Sequence, residues 1–82
     1  MINKRKKEVP LIAIQLGEKL QEIIKLKKLR QRDVAHDANL DVENLRKYLK
    51  GRQEMRISTL LRIVEALEIS LEDLFDGLYS KK

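Results

Sequence analysis

The 82-residue chain contains no cysteine, so neither a disulfide nor a thiolate metal site can staple it. It also lacks any long hydrophobic run. The longest apolar stretch, residues 9–14, is far too short to cross a membrane. Although that stretch follows a basic segment, it is too short for the apolar region of a signal peptide and carries no small-residue cleavage site. The expectation is a soluble, cytoplasmic protein with no membrane partner. No internal repeat and no strand-like alternation of useful length are present, which leaves an all-α fold. Clusters that carry catalysis are missing as well. The one histidine, His36, falls beside a stripe of small residues on a helical pattern and reads as a surface side chain. No Ser/His/Asp arrangement, carboxylate pair, glycine-rich phosphate loop or metal-ligand cluster emerges, so the expectation is a non-enzyme with no cofactor and no metal.

What is present fits one small domain. At this length there is no room for a second core. Hydrophobic residues make up 43% of the chain, enough for a small helical core, and the 38% that are charged supply its surface. The formal net charge of +5 is less informative than its placement. The terminal runs Lys4-Arg5-Lys6-Lys7 and Lys81-Lys82 hold six of the 18 basic residues; without them, 12 bases face 13 acids and the body is net −1. Within that body the signs separate. Lys25, Lys27, Lys28, Arg30 and Arg32 form one basic block, and Arg46, Lys47, Lys50, Arg52 and Arg56 form another. Residues 63–80 contain five acids and no base.

The two basic blocks flank residues 29–51, the most informative stretch. Two short helical patterns lie there, on either side of Asn39-Leu40-Asp41. In the first, Val34, Ala35 and Ala38 gather small apolar groups on one narrow stripe. In the second, Val42, Leu45, Tyr48 and Leu49 recur at helical spacing. Asn39 tolerates the left-handed conformation that lets a chain leave one helix sharply. Asp41 can then accept a backbone N–H at the start of the next. Two brief helices joined by a short turn, the first lined with small side chains, describe a helix-turn-helix.

The remaining segments read as three more helices. Residues 1–8 form a basic arm without periodicity, residues 9–78 the domain, and residues 79–82 a tail. Pro10 suits the first turn of a helix, which Leu16, Leu20, Ile23 and Ile24 carry to about Lys28. Leu11, Ile12 and Ile14 exceed what a small five-helix domain needs; they either cover a partner surface or pack back on the last helix. Lys28 stands where that helix ends, a place easier for glycine, and Leu29 is expected to dip into the core. Arg30 is a poor N-cap for the second helix, while Asp33 in its first turn complements the dipole. The third helix is expected over about 42–50 and stops at Gly51. Ile57, Leu60, Leu61, Ile63, Val64 and Leu67 mark an amphipathic fourth helix. Ser70-Leu71-Glu72-Asp73 resembles a capping box opening a fifth, with Leu74 and Phe75 inward.

This pattern resembles the lambda-repressor-like, or Xre/Cro-type, helix-turn-helix family. The matching residues are Leu16-Gly17-Glu18-Lys19-Leu20, Leu29 with Gln31, Val34-Ala35, Asn39-Leu40, Leu45, Lys50-Gly51, the run from Ile57 to Ile63, and the close from Ala66 to Phe75. The resemblance covers residues 12–76. It implies a five-helix fold around a central helix-turn-helix and a symmetric dimer on operator DNA. It further implies that Gln31 bonds a phosphate and braces the recognition helix, with Arg32 in the adjoining basic block. Asp41, Val42, Glu43, Asn44 and Lys47 take the groove-facing positions, and Arg46, Lys50 and Arg52 the backbone-contacting ones. The chain departs from the family at Arg30, in place of a Ser or Thr cap, at Asn39, in place of the turn glycine, and at Asp41, which puts a carboxylate near the phosphates.

The residue types suit base reading from the major groove. Lys47 can donate to guanine O6 and N7, Asn44 can pair with adenine, Glu43 can accept from cytosine N4, and Val42 can meet a thymine methyl. Each has a plainer alternative: Val42 as a packing residue, Asn44 as a passive surface residue, and Glu43 and Lys47 as an i,i+4 pair. Lys50, Arg52 and Arg56 suit phosphates, and the arm at Lys4 to Lys7 either adds charge attraction or merely solubilises. The resulting expectation is a DNA-binding transcriptional regulator, a homodimeric repressor on double-stranded DNA. Two alternatives stay open: an antitoxin that also binds a toxin, and a protein-interaction module that has lost DNA binding. Asp37, Asp41 and Glu43 near the groove face support the second. The fifth helix with Phe75, Leu78 and Tyr79, and the apolar start of the first, are the candidate dimer surfaces.

Overall fold

The computed structural model describes residues 8–79; the basic arm at Lys4 to Lys7 and the end of the tail lie outside them. Five helices follow one another: α1 Leu11–Leu26, α2 Gln31–Asp37, α3 Val42–Leu49, α4 Ile57–Leu67 and α5 Leu71–Tyr79. The described residues contain no strand. Pro10, at φ −59°, immediately precedes α1, and its carbonyl accepts the N–H groups of Ala13 and Ile14. Helix α1 ends two residues before the expected Lys28. At α5, the Ser70 hydroxyl accepts the Asp73 N–H at 2.9 Å, which is half of the expected capping box.

Four of the helices stop in the same way. After α1, Lys28 is left-handed at φ 58°; the Leu29 N–H reaches the Ile24 carbonyl and the Lys28 N–H the Lys25 carbonyl. Asn39 (φ 59°), Gly51 (φ 71°) and Glu68 (φ 58°) repeat this paired closure after α2, α3 and α4. Only one of the four is glycine. A β-carbon in this conformation costs about 1–2 kcal/mol, and glycine returns part of that as unfolded-chain entropy. Lys28→Gly is therefore expected to stabilise the fold by about 0.5–1 kcal/mol, read as a rise of a few degrees in thermal midpoint. Gly51 is constrained twice over: besides its positive φ, a β-carbon there would lie 3.1 Å from Ile14 Cγ1. Ile14 thus covers the end of α3, which neither of its two expected placements anticipated.

The core lies between the helices, with Leu20, Leu45, Leu49, Ile63, Leu67 and Leu74 fully buried. Val34, Ala35 and Ala38 are buried too, so α2 offers only small side chains where it crosses α3 and α4. On α1, Ile24 is buried with Leu16 and Leu20, while Ile23 is half-buried. Leu74 is inward as expected, and Phe75 is half-buried. Other apolar side chains face outward instead of joining the core. Leu29, expected inside, is 40% exposed. It follows the left-handed Lys28, which carries it to the rim of a shallow cleft beside Asp37, Ala66 and Leu67. Ile57 and Leu61 are 75% and 44% exposed. Side chains lean toward a helix's N-terminus, so Ile57, the first residue of α4, projects past its end, and Leu61 lies off the buried stripe of Leu60, Ile63 and Leu67.

Candidate nucleic-acid interface

Helix α3 is held from behind by α1 and α2. Its inner residues Leu45, Tyr48 and Leu49 are buried, and its outer residues Glu43, Asn44, Arg46 and Lys47 are exposed, followed by exposed Lys50 and Arg52. The tight turn at Asn39 makes this presentation possible. There the Leu40 N–H donates to the Ala35 carbonyl at 2.8 Å, and the chain turns at once into the extended Asp41. Asp41 Oδ1 accepts the Glu43 N–H, at a long 3.4 Å. The carboxylate that departs from the family pattern is therefore spent at the positive end of α3.

Three predicted site residues come together. Arg46 Nη1 donates to Glu43 Oε2 at 2.9 Å, and Arg46 Nε donates to Gln31 Oε1 at 3.2 Å. Gln31, the first residue of α2, thus braces α3 through an arginine. The i,i+4 pairing of Glu43 with Lys47 is not what the structure contains: Glu43 turns to Arg46 at i+3. The same guanidinium also bonds Gln31 on α2. The Lys47 side chain has no hydrogen bond or ion pair with another described residue.

The other predicted residues are placed separately. Val42 is half-buried and packs against the core. Asn44, Lys50, Arg52 and Arg56 are exposed, as is Arg32 one residue into α2. Arg52 lies beside Glu8 and Val9, so the start of the described chain approaches the loop after α3. His36 is exposed, with its Nδ1 3.8 Å from Asp37. Among the described residues, no group of acids and histidine is arranged to hold a metal, and no helix is long and apolar enough to cross a membrane.

Sequence reasoning gave Gly17 no structural role, yet α3 depends on it. Gly17 sits inside α1 against the Tyr48 and Leu49 carbonyls, where a β-carbon would overlap the Tyr48 oxygen. A glycine in a helix interior, at a cost near 1 kcal/mol against alanine, between the core residues Leu16 and Leu20, was the available sign of a close approach.

Comparison with known proteins places this geometry. The model of the Cro/C1-type HTH DNA-binding domain matches residues 19–76. No curated protein sequence matches significantly. Among solved structures, the chain is similar to the restriction-modification controller protein C.AhdI from Aeromonas hydrophila, with a TM-score of 0.75 and 24% identity over 80% of this chain and 100% of that one. It is also similar to the controller protein C.Esp1396I, solved as a tetramer in complex with its natural 35-base-pair operator (TM-score 0.80, 23% identity, 84% of this chain and 91% of that one). A third similar structure is the clp gene regulator ClgR from Corynebacterium glutamicum (TM-score 0.77, 25% identity, 82% and 71%). The two controller proteins, below 25% identity, bear on the fold alone.

Proposed function

The chain belongs to the Cro/C1-type HTH DNA-binding domain family, and on that premise we propose that it is a sequence-specific transcriptional regulator, a homodimeric repressor that occupies promoter DNA. The observation that carries this is the outer face of α3, where Asn44 and Lys47 are exposed, with exposed Lys50 just beyond the end of the helix. In the major groove, Lys47 donates to guanine O6 and N7, Asn44 pairs with adenine and Glu43 accepts from cytosine. Lys50 and Arg52, with Arg32 and Gln31 at the start of α2, contact phosphates and set register without reading sequence. The rival reading as a protein-interaction module rested on Asp37, Asp41 and Glu43. Two of those carboxylates have local partners, the α3 N-terminus and Arg46, which weakens it.

Dimerisation supports specificity because one small module reads only half a site. The surface that fits a second copy combines Ile57 and Leu61 on α4 with Ile12 on α1; Ile12 and Ile57 line one apolar groove with Met55 and Leu60. C.Esp1396I, which has this fold, assembles as a tetramer on its operator. Replacing both Ile57 and Leu61 by glutamate is expected to shift the sedimentation coefficient from dimer to monomer and weaken operator binding, with the helical circular-dichroism spectrum unchanged. A dimer that survives both changes would move the interface elsewhere.

The function itself is tested by retention of duplexes from a random-sequence pool at low salt. With five or six phosphates neutralised per subunit, the logarithm of affinity should fall with the logarithm of salt at a slope of about −5 per subunit. Retention of no duplex, with salt-independent capture of a protein, would overturn the proposal.

A further inference from the structure

The exposed cluster of Arg46, Glu43 and Gln31 does more than join two helices. We propose that Arg46 is a positioning residue for base reading: its guanidinium fixes the Glu43 carboxylate on the groove face and thereby sets the preference for a base bearing an exocyclic amine, such as cytosine. The proposal rests on the DNA-binding function given above and names a role within that same site.

The geometry has three parts. Arg46 is fixed by two bonds to two different helices, Nε to Gln31 Oε1 on α2 and Nη1 to Glu43 Oε2 on α3. A guanidinium is planar and carries five N–H donors, so fixing two of them fixes the plane, and the remaining donors stay free for a phosphate. Only one oxygen of Glu43 is taken. Oε1 has no partner among the described residues and is left to accept an N–H from a base edge.

In water the cluster adds little to fold stability. The Arg46 and Glu43 side chains are 45% and 67% exposed, and ion pairs this open contribute little in water. The balance changes when the helix enters the groove. Water leaves, and a lone carboxylate would face the phosphates of both strands; a carboxylate already bonded to a guanidinium does not carry that repulsion. Arg46 also protects the neighbouring reader. Without it, Glu43 is free to turn to Lys47 at i+4, which would occupy both side chains with each other.

The test compares the 82-residue protein with R46A, R46K, E43Q and the double variant R46A/E43Q. Dissociation constants are measured by fluorescence anisotropy, at one salt concentration, on the best duplex from a random pool, on each of its single-base-pair substitutions and on an unrelated duplex. R46A is expected to reduce the ratio of specific to unrelated affinity about tenfold, the scale of one base-pair contact. The loss of preference should fall on the same base pair as for E43Q, and adding R46A to E43Q should relax that position no further. R46K keeps the charge but loses the planar fork and is expected to fall between the two. Thermal midpoints should agree within a few degrees, since the side chain is exposed. Arg46 as a simple phosphate contact predicts otherwise: all duplexes weaken equally, and the effect adds in full to that of E43Q. That result overturns the positioning role while leaving the DNA-binding function intact. A wild-type protein that prefers no sequence removes both.

Discussion

Replacing Gly17 by alanine is expected to lower the thermal midpoint by about 10–20 °C, corresponding to a loss of about 2–3 kcal/mol in a domain of this size. Alanine is the better helix former by about 1 kcal/mol, so an exposed position would gain from the same change. The loss comes from contact. A β-carbon at position 17 would overlap the Tyr48 carbonyl oxygen and lie 3.1 Å from that of Leu49. Both neighbours are backbone, which cannot move aside as a flexible side chain would. The Tyr48 carbonyl also accepts the Gly51 N–H at 3.1 Å, one of the two bonds that close α3. Pushing α1 away therefore disturbs the end of α3 along with the core. The comparison is made by circular-dichroism melting of both proteins at equal concentration. A Gly17→Ala midpoint equal to or above that of the parent would mean that α1 and α3 are not in the close contact described.

Lys47→Ala is expected to cost about 1–3 kcal/mol on the preferred duplex and to relax specificity at one base pair. Lys47 stands on the exposed face of α3, three residues after Asn44 and four after Glu43, so these side chains share one face. Its ammonium is available because Glu43 is bonded to Arg46. A base-edge contact is lost from one sequence only. Lys50→Ala, one residue beyond the end of α3, should instead weaken all duplexes by a similar factor and flatten the salt slope by about 1. Measuring both variants on matched and mismatched duplexes separates the two roles. An equal loss for Lys47→Ala on every duplex would make Lys47 a phosphate contact and take base reading away from it.

The helices and their ends were legible in the sequence because they rest on local rules. Hydrophobic spacing located α1 to α5, Gly51 and Asn39 marked two of the left-handed closures, and Ser70 marked a cap. Periodicity says which face of a helix is apolar but not whether another element covers it. Ile57 and Leu61 follow the pattern of buried residues and are nevertheless exposed, and Leu29 is turned out by the conformation of its neighbour. The exposed side chains of α3 were legible as a set, from their spacing. Their partners were not. Glu43 bonds Arg46, which also bonds Gln31, fifteen residues earlier and on another helix, a contact that no reading of α3 alone can supply. Gly17 is a similar case, since its role appears only where two helices touch.

The measurement that bears most directly on the account is sequencing of the duplexes that the intact protein retains from a random library. Enrichment of an inverted repeat is predicted, with half-sites centred about one helical turn or a whole multiple of it apart, and a preferred base at the positions that Lys47 and Glu43 meet. Retained duplexes with no sequence in common, or none retained at any salt concentration, would contradict the assignment of α3 as a recognition helix.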